Sequence, residues 1–101
     1  QQFLRRIFTD KEIKYCNNKK NPAQRFATRY AGKEAFIKAL FPRGQKGVKL
    51  TDIEIDQKEM RPVINLFGKL PEFAKSAGVK NTHLMLSHDG DYGIANVILE
   101  A

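Results

Sequence analysis

Apolar and polar positions change their period near the middle of this 101-residue chain. Up to Leu40 they recur three and four residues apart, and beyond Val48 they alternate. Phe3, Leu4 and Ile7 predict a short helix over residues 1–8, with Arg5 and Arg6 beside its apolar stripe. Thr9 and Glu12 match a capping box, so a second helix should run through Ile13 and Cys16. Asn21 then Pro22 starts a long helix, with Asn as the cap and Pro where a missing N–H costs nothing. That helix should end at Leu40, because Pro42 and Gly44 cannot continue it. Phe26, Ala27, Tyr30, Ala31 and Ala35 are expected to form its apolar, small-residue face.

In the second half, "VKLTDIEI" predicts a strand whose phase slips at Thr51–Asp52, the pattern of a β-bulge. "PVINLF" reads as a second strand, and "LPEFAKSAG" as a short helix ended by Gly78. "THLMLSH" and "YGIANVILE", joined by "DGD", predict a hairpin. The sum is an α+β fold, helices first, then a mostly antiparallel sheet with one helix inserted.

Charge adds a partner class to this picture. Eighteen Lys and Arg against eleven Asp and Glu leave a net charge of +7 on what should be one domain. Such a surplus suits nucleic acid, an anionic membrane, a polyphosphate ligand or an acidic protein, and equally plain solubility. The single cysteine, Cys16, excludes an intramolecular disulfide and fits a reducing cytosol. No apolar run approaches the roughly 18 residues of a membrane span and no signal peptide opens the chain, so a cytoplasmic protein is expected. The opening "QQFLRRIF" has no initiating Met and reads like a helix entered partway, so an upstream segment is expected.

The candidate chemistry lies on the long helix. Glu34 and Lys38 are four apart and share a face with Tyr30, while Arg29 and Lys33 make a second row beside them. The spacing admits an ordinary intrahelical ion pair, or a carboxylate for a divalent cation set among cations for phosphates. His88 closes a strand between Ser87 and Asp89, either as a plain turn histidine or as a functional side chain at a strand end. His83 and His88 should face opposite sides of their strand. No zinc, Walker or nucleophile-elbow motif occurs, and no helix-turn-helix, zinc-finger or RNP pattern.

Taken in order, these segments resemble the holo-(acyl-carrier-protein) synthase family, the short AcpS-type 4′-phosphopantetheinyl transferases. "FATRYAGKEAFIKAL" resembles the family's R-F-A-A-K-E-A-F-x-K-A hallmark. "FLRRIFTDKEIKYC", "LTDIEI" and "NTHLMLSHDGDYGIANVILE" resemble its first helix with F-T-x-x-E, its D-I-E-V strand and its closing hairpin. The resemblance implies Mg²⁺-dependent transfer of phosphopantetheine from coenzyme A to a serine of acyl carrier protein, for fatty acid synthesis, by a trimer with sites between subunits. It implies Glu34 as metal ligand and Glu34 with Lys38 as the catalytic pair. It assigns Arg29, Lys33, Lys38, Ser87 and His88 to coenzyme A, and Phe3, Arg5 and Arg6 to the carrier protein.

Some positions depart from the family pattern. The family's first strand, G-I-G-x-D, has no counterpart here, which leaves its aspartate ligand to an upstream segment. Met60–Arg61 stands where the family has Gly-Lys in a turn, and Gly32 replaces an alanine at a cost of about 1 kcal/mol to the helix. A basic nucleic-acid-binding module and an inactive family member are the rival readings.

Overall fold

The computed structural model describes residues 2–45, 47–90 and 92–101. Residue 1 of the expected first helix and Asp91 of the expected hairpin turn lie outside the described residues. Helix α1 spans Gln2–Ile7, α2 spans Asp10–Asn17 and α3 spans Pro22–Leu40. The capping box forms as expected: Thr9 accepts from the Glu12 backbone, and the Glu12 carboxylate accepts from the Thr9 backbone. Asn21 caps α3 through the Gln24 backbone N–H, with Pro22 in the first turn.

Strands β1 (Ile53–Lys58) and β2 (Arg61–Leu66) pair antiparallel, then α4 (Leu70–Ser76) leads to β3 (Asn81–Asp89) and β4 (Tyr92–Glu100). β3 and β4 also pair antiparallel, with His88 opposite Gly93 and Asn81 opposite Glu100. Among the described residues the strands form two separate hairpins, β1–β2 and β3–β4. The inner faces of both pack on α3, and Phe36, Leu40, Ile53 and Leu70 form the centre of the core.

Two expectations are corrected. The slip at Thr51–Asp52 is a 3-10 turn, Leu50–Asp52, with β1 starting only at Ile53. The Asp52 N–H turns back to Lys49 O while Asp52 O accepts from Phe67, so the residue closes a turn and adds no bulge. The buried face of α3 is also not the one expected. It consists of Thr28, Arg29, Gly32, Lys33, Phe36 and Leu40, whereas Tyr30 is exposed. Close approach explains the small residues. A Cβ at Gly32 would lie 2.5 Å from Ile55 Cδ1, and one at Gly93 would strike the α3 backbone at Ala27 and Thr28.

Candidate functional site

With Arg29 and Lys33 on the core side of α3, the opposite side carries Tyr30, Glu34 and Lys38 into solvent. Among the described residues Glu34 and Lys38 make no ion pair, so the intrahelical bridge that their spacing admits is not formed. The nearby Glu34 charge is the main reason that the Tyr30 phenol is held above its usual pKa.

Lys33 is the largest correction. Its side chain is wholly buried and its ammonium has three donors. All three are in use: Ile7 O at 2.6 Å, Glu12 Oε1 at 2.6 Å and Leu50 O at 2.9 Å. Burial pulls the Lys33 pKa down, and Glu12 opposes that shift. Glu12 is equally committed, accepting from Thr9 N and from Ile55 N, each at 2.9 Å. The expected contact of Lys33 with coenzyme A is therefore withdrawn, because its side chain is fully buried and all three N–H donors are used within the chain. Alongside, Glu54 accepts from Thr9 Oγ1 at 2.7 Å and Asn65 Nδ2 at 3.1 Å.

Arg29 differs from Lys33 in its bonding. It is 2% exposed, yet its Nε has no hydrogen-bond partner among the described residues. Its guanidinium stacks 4.2 Å from the centre of the Tyr15 ring. A buried N–H donor without an acceptor is costly, so Nε can serve a further acceptor. Arg29 borders a groove of about 1090 Å³ between β3, the tip of the β1–β2 hairpin and the first half of α3.

His88 borders the same groove, and its Nδ1 lies 3.0 Å from Gln24 Nε2, which also donates to Gly90 O. Ser87 also lines it, from the other face of β3 than His88, as strand alternation requires. His83 is on that outer face too, 3.1 Å from Glu100, so the two histidines diverge as expected. Gln24 was not singled out from sequence; the cue was its place one turn into α3, which only the fold brings to the hairpin.

The structure thus brings Arg29, Ser87 and His88 to one groove and leaves Glu34 and Lys38 outside it. Gln24, which meets His88, precedes Glu34 by ten residues, about 15 Å along a helix. Helix α1 does not line the groove. Phe3 is 69% exposed, and Arg5 and Arg6 are exposed beside it, so Phe3 is not core. No group of three or more His, Cys, Asp or Glu side chains among the described residues could hold a metal ion by itself.

Comparison with known proteins agrees along the whole chain. The family described as the 4′-phosphopantetheinyl transferase superfamily matches residues 1–97. The holo-(acyl-carrier-protein) synthase of Geotalea daltonii is 43% identical over 98 residues, covering 96% of this chain and 78% of the relative. That of Koribacter versatilis is 41% identical, covering 98% and 80%. Among solved structures, the Neisseria meningitidis synthase superposes with a TM-score of 0.87 at 29% identity, covering 100% of this chain and 82% of that one. The Helicobacter pylori synthase, solved with coenzyme A, gives 0.79 at 29% identity, covering 98% and 82%.

Proposed function

Because the chain belongs to the 4′-phosphopantetheinyl transferase superfamily, we propose that it moves the 4′-phosphopantetheine group of coenzyme A onto a serine of acyl carrier protein, serving fatty acid synthesis. The observation that carries this reading is the outer face of α3, where Glu34 and Lys38 stand together, exposed and unpaired by each other. A hard divalent cation such as Mg²⁺ suits that face. It needs one or two carboxylates and takes its other oxygens from substrate phosphates and water. Glu34 would hold it, and when bound it would neutralise charge on the pyrophosphate.

The serine oxygen attacks the pantetheine-bearing phosphorus, the pyrophosphate P–O bond breaks, and adenosine 3′,5′-bisphosphate leaves. Lys38, one turn from Glu34, stabilises or protonates the departing phosphate oxygen. The serine proton goes to Glu34 or to water. Arg29, Ser87 and His88 serve the nucleotide end, where the Arg29 guanidinium, with its Nε lacking a partner among the described residues, suits a phosphate. Phe3, Arg5 and Arg6 dock the acidic carrier protein.

The distance between the Glu34 face and the His88 groove supports a homotrimer whose sites lie between subunits. Tyr92, Ile94, Ile98 and Met85 leave an apolar outer face on β3–β4 that another copy would cover. A cytoplasmic location goes with this reading; no helix among the described residues is long and apolar enough to cross a membrane.

Mass spectrometry of apo acyl carrier protein incubated with this chain, coenzyme A and Mg²⁺ tests the proposal. A phosphopantetheine adduct is expected, to be lost with EDTA and with Glu34→Gln. No adduct under any condition would overturn the reading.

A further inference from the structure

The Lys33–Glu12 pair lies beyond the reach of any ligand, yet it joins the two helices that the proposed reaction uses. Lys33 immediately precedes Glu34 on α3, and its ammonium holds Ile7 O, the last carbonyl of α1. A cation is favoured at that end of a helix. The same ammonium holds the 3-10 turn through Leu50 O and the start of α2 through Glu12. Glu12 extends the linkage to β1 through Ile55 N. Phe8 lies under the ammonium, 5.1 Å from it to the ring centre, and packs on Phe26 of α3 with ring centres 4.9 Å apart and planes tilted by 53°.

The other restraint on α1 is the buried Phe8 that follows it, which packs on Phe26 but makes no hydrogen bond to α3 among the described residues. None of its residues is buried, and its packing is against the 3-10 turn and α2. Sliding α1 along α3 therefore breaks a bond at the Lys33 ammonium.

We propose that Lys33 and Glu12 are positioning residues, which lock α1 to α3 so that a carrier protein docked on α1 brings its serine to a fixed place relative to Glu34. The proposal rests on the reading that α1 docks the carrier and Glu34 serves the transfer. It separates from a purely stabilising role in one respect. Stability depends on leaving no unpaired buried charge, whereas the lock depends on the bond to Ile7 O.

Lys33→Met alone strands the Glu12 carboxylate in the core and should lower the melting temperature sharply. The decisive variant is Glu12→Gln/Lys33→Met, which leaves neither charge. It should regain most of the lost melting temperature. Its KM for acyl carrier protein should still be raised about tenfold or more, since misplacement is expensive, with KM for coenzyme A within about twofold of wild type. A wild-type KM for the carrier, or both constants rising together, would overturn the proposal.

Amide hydrogen exchange gives a readout independent of catalysis. In the folded Glu12→Gln/Lys33→Met double variant, which lacks the bond to Ile7 O, the Phe8 amide, bonded to Leu4 O at 2.7 Å, should exchange faster while amides in the middle of α3 do not. Unchanged exchange at Phe8 would overturn the lock. If the wild-type chain modifies no carrier protein, the functional reading falls, and the exchange result alone decides whether α1 is tethered.

Discussion

Gly32→Ala measures how tightly the core side of α3 is packed. In an exposed helix interior the change would gain about 1 kcal/mol of helix propensity. Here the new methyl would lie 2.5 Å from Ile55 Cδ1 and 3.3 Å from Leu86 Cδ2. Ile55 is 2% exposed, so its terminal methyl has no solvent to move into. Overpacking of this kind costs about 1–3 kcal/mol. The net expectation is a loss of about 0–2 kcal/mol, or a lower melting temperature by about 4–8 °C per kcal/mol lost. Ile55→Val removes the clashing atom and should cost about 0.5–1.5 kcal/mol by itself. In the double variant the alanine methyl fills the space that the isoleucine methyl leaves. Ile55→Val should then be neutral or stabilising in the alanine background, a coupling of about 1–2 kcal/mol. Urea unfolding of the four proteins at 25 °C, followed by circular dichroism, closes the cycle. Additivity within about 0.5 kcal/mol would refute the packing argument, as would a full propensity gain from Gly32→Ala alone.

Met60→Gly should stabilise the β1–β2 hairpin by about 1 kcal/mol, because Met60 sits at φ 67° next to Glu59 at φ 49° and is 93% exposed, so relief of strain loses no packing; a lower melting temperature would contradict this. Burial pushes the Cys16 thiol up to about 11, so native protein should resist iodoacetamide at pH 8, and labelling at the rate of a free thiol would show the assignment wrong. That raised value contributes stability which is fully present below the unfolded thiol's range, near 8.5, and is lost as pH rises through about 11; Cys16→Ala should flatten this part of the alkaline decline. Lys38→Ala should lower kcat more than it raises KM for coenzyme A, the pattern of a contact that strengthens in the transition state, and the reverse pattern would move Lys38 to ground-state binding. Arg6→Glu should raise KM for the carrier protein, the wild-type KM should itself rise with salt, and coenzyme A affinity should not move; a salt-independent KM would place docking elsewhere.

Local signals in the sequence carried the elements well. Thr9 with Glu12, and Asn21 with Pro22, mark helix starts by hydrogen bonds that span only three residues, so they form wherever the chain is helical. The alternation in β3 and β4 likewise predicts that His83 and His88 diverge. The rotation of α3 was not legible. A hydrophobic pattern assigns lysine and arginine to solvent, and here both Arg29 and Lys33 face inward. Lys33 can do so only because Glu12 and two backbone carbonyls from distant segments meet it, and nothing within a helical window announces them. The family hallmark placed Glu34 and Lys38 side by side, and the fold adds that Lys33, between Arg29 and Glu34, belongs to a different environment from both.

The buried ammonium has a kinetic consequence. Its bonds to Ile7, Glu12 and Leu50 close loops of 26, 21 and 17 residues, and the Glu12–Ile55 bond closes one of 43. Each closure spends chain entropy before any of the contacts is made. The charges gain from meeting only once water has left them, which requires β1, α2 and α3 to be docked already. The pair should therefore form after the rate-limiting assembly of the chain and break early when the chain comes apart; stopped-flow refolding slowed as much as unfolding is accelerated in Glu12→Gln/Lys33→Met would contradict this order. Its contribution falls on the unfolding barrier: substitutions at Glu12 or Lys33 shorten the lifetime of the native state while leaving the rate of refolding nearly unchanged.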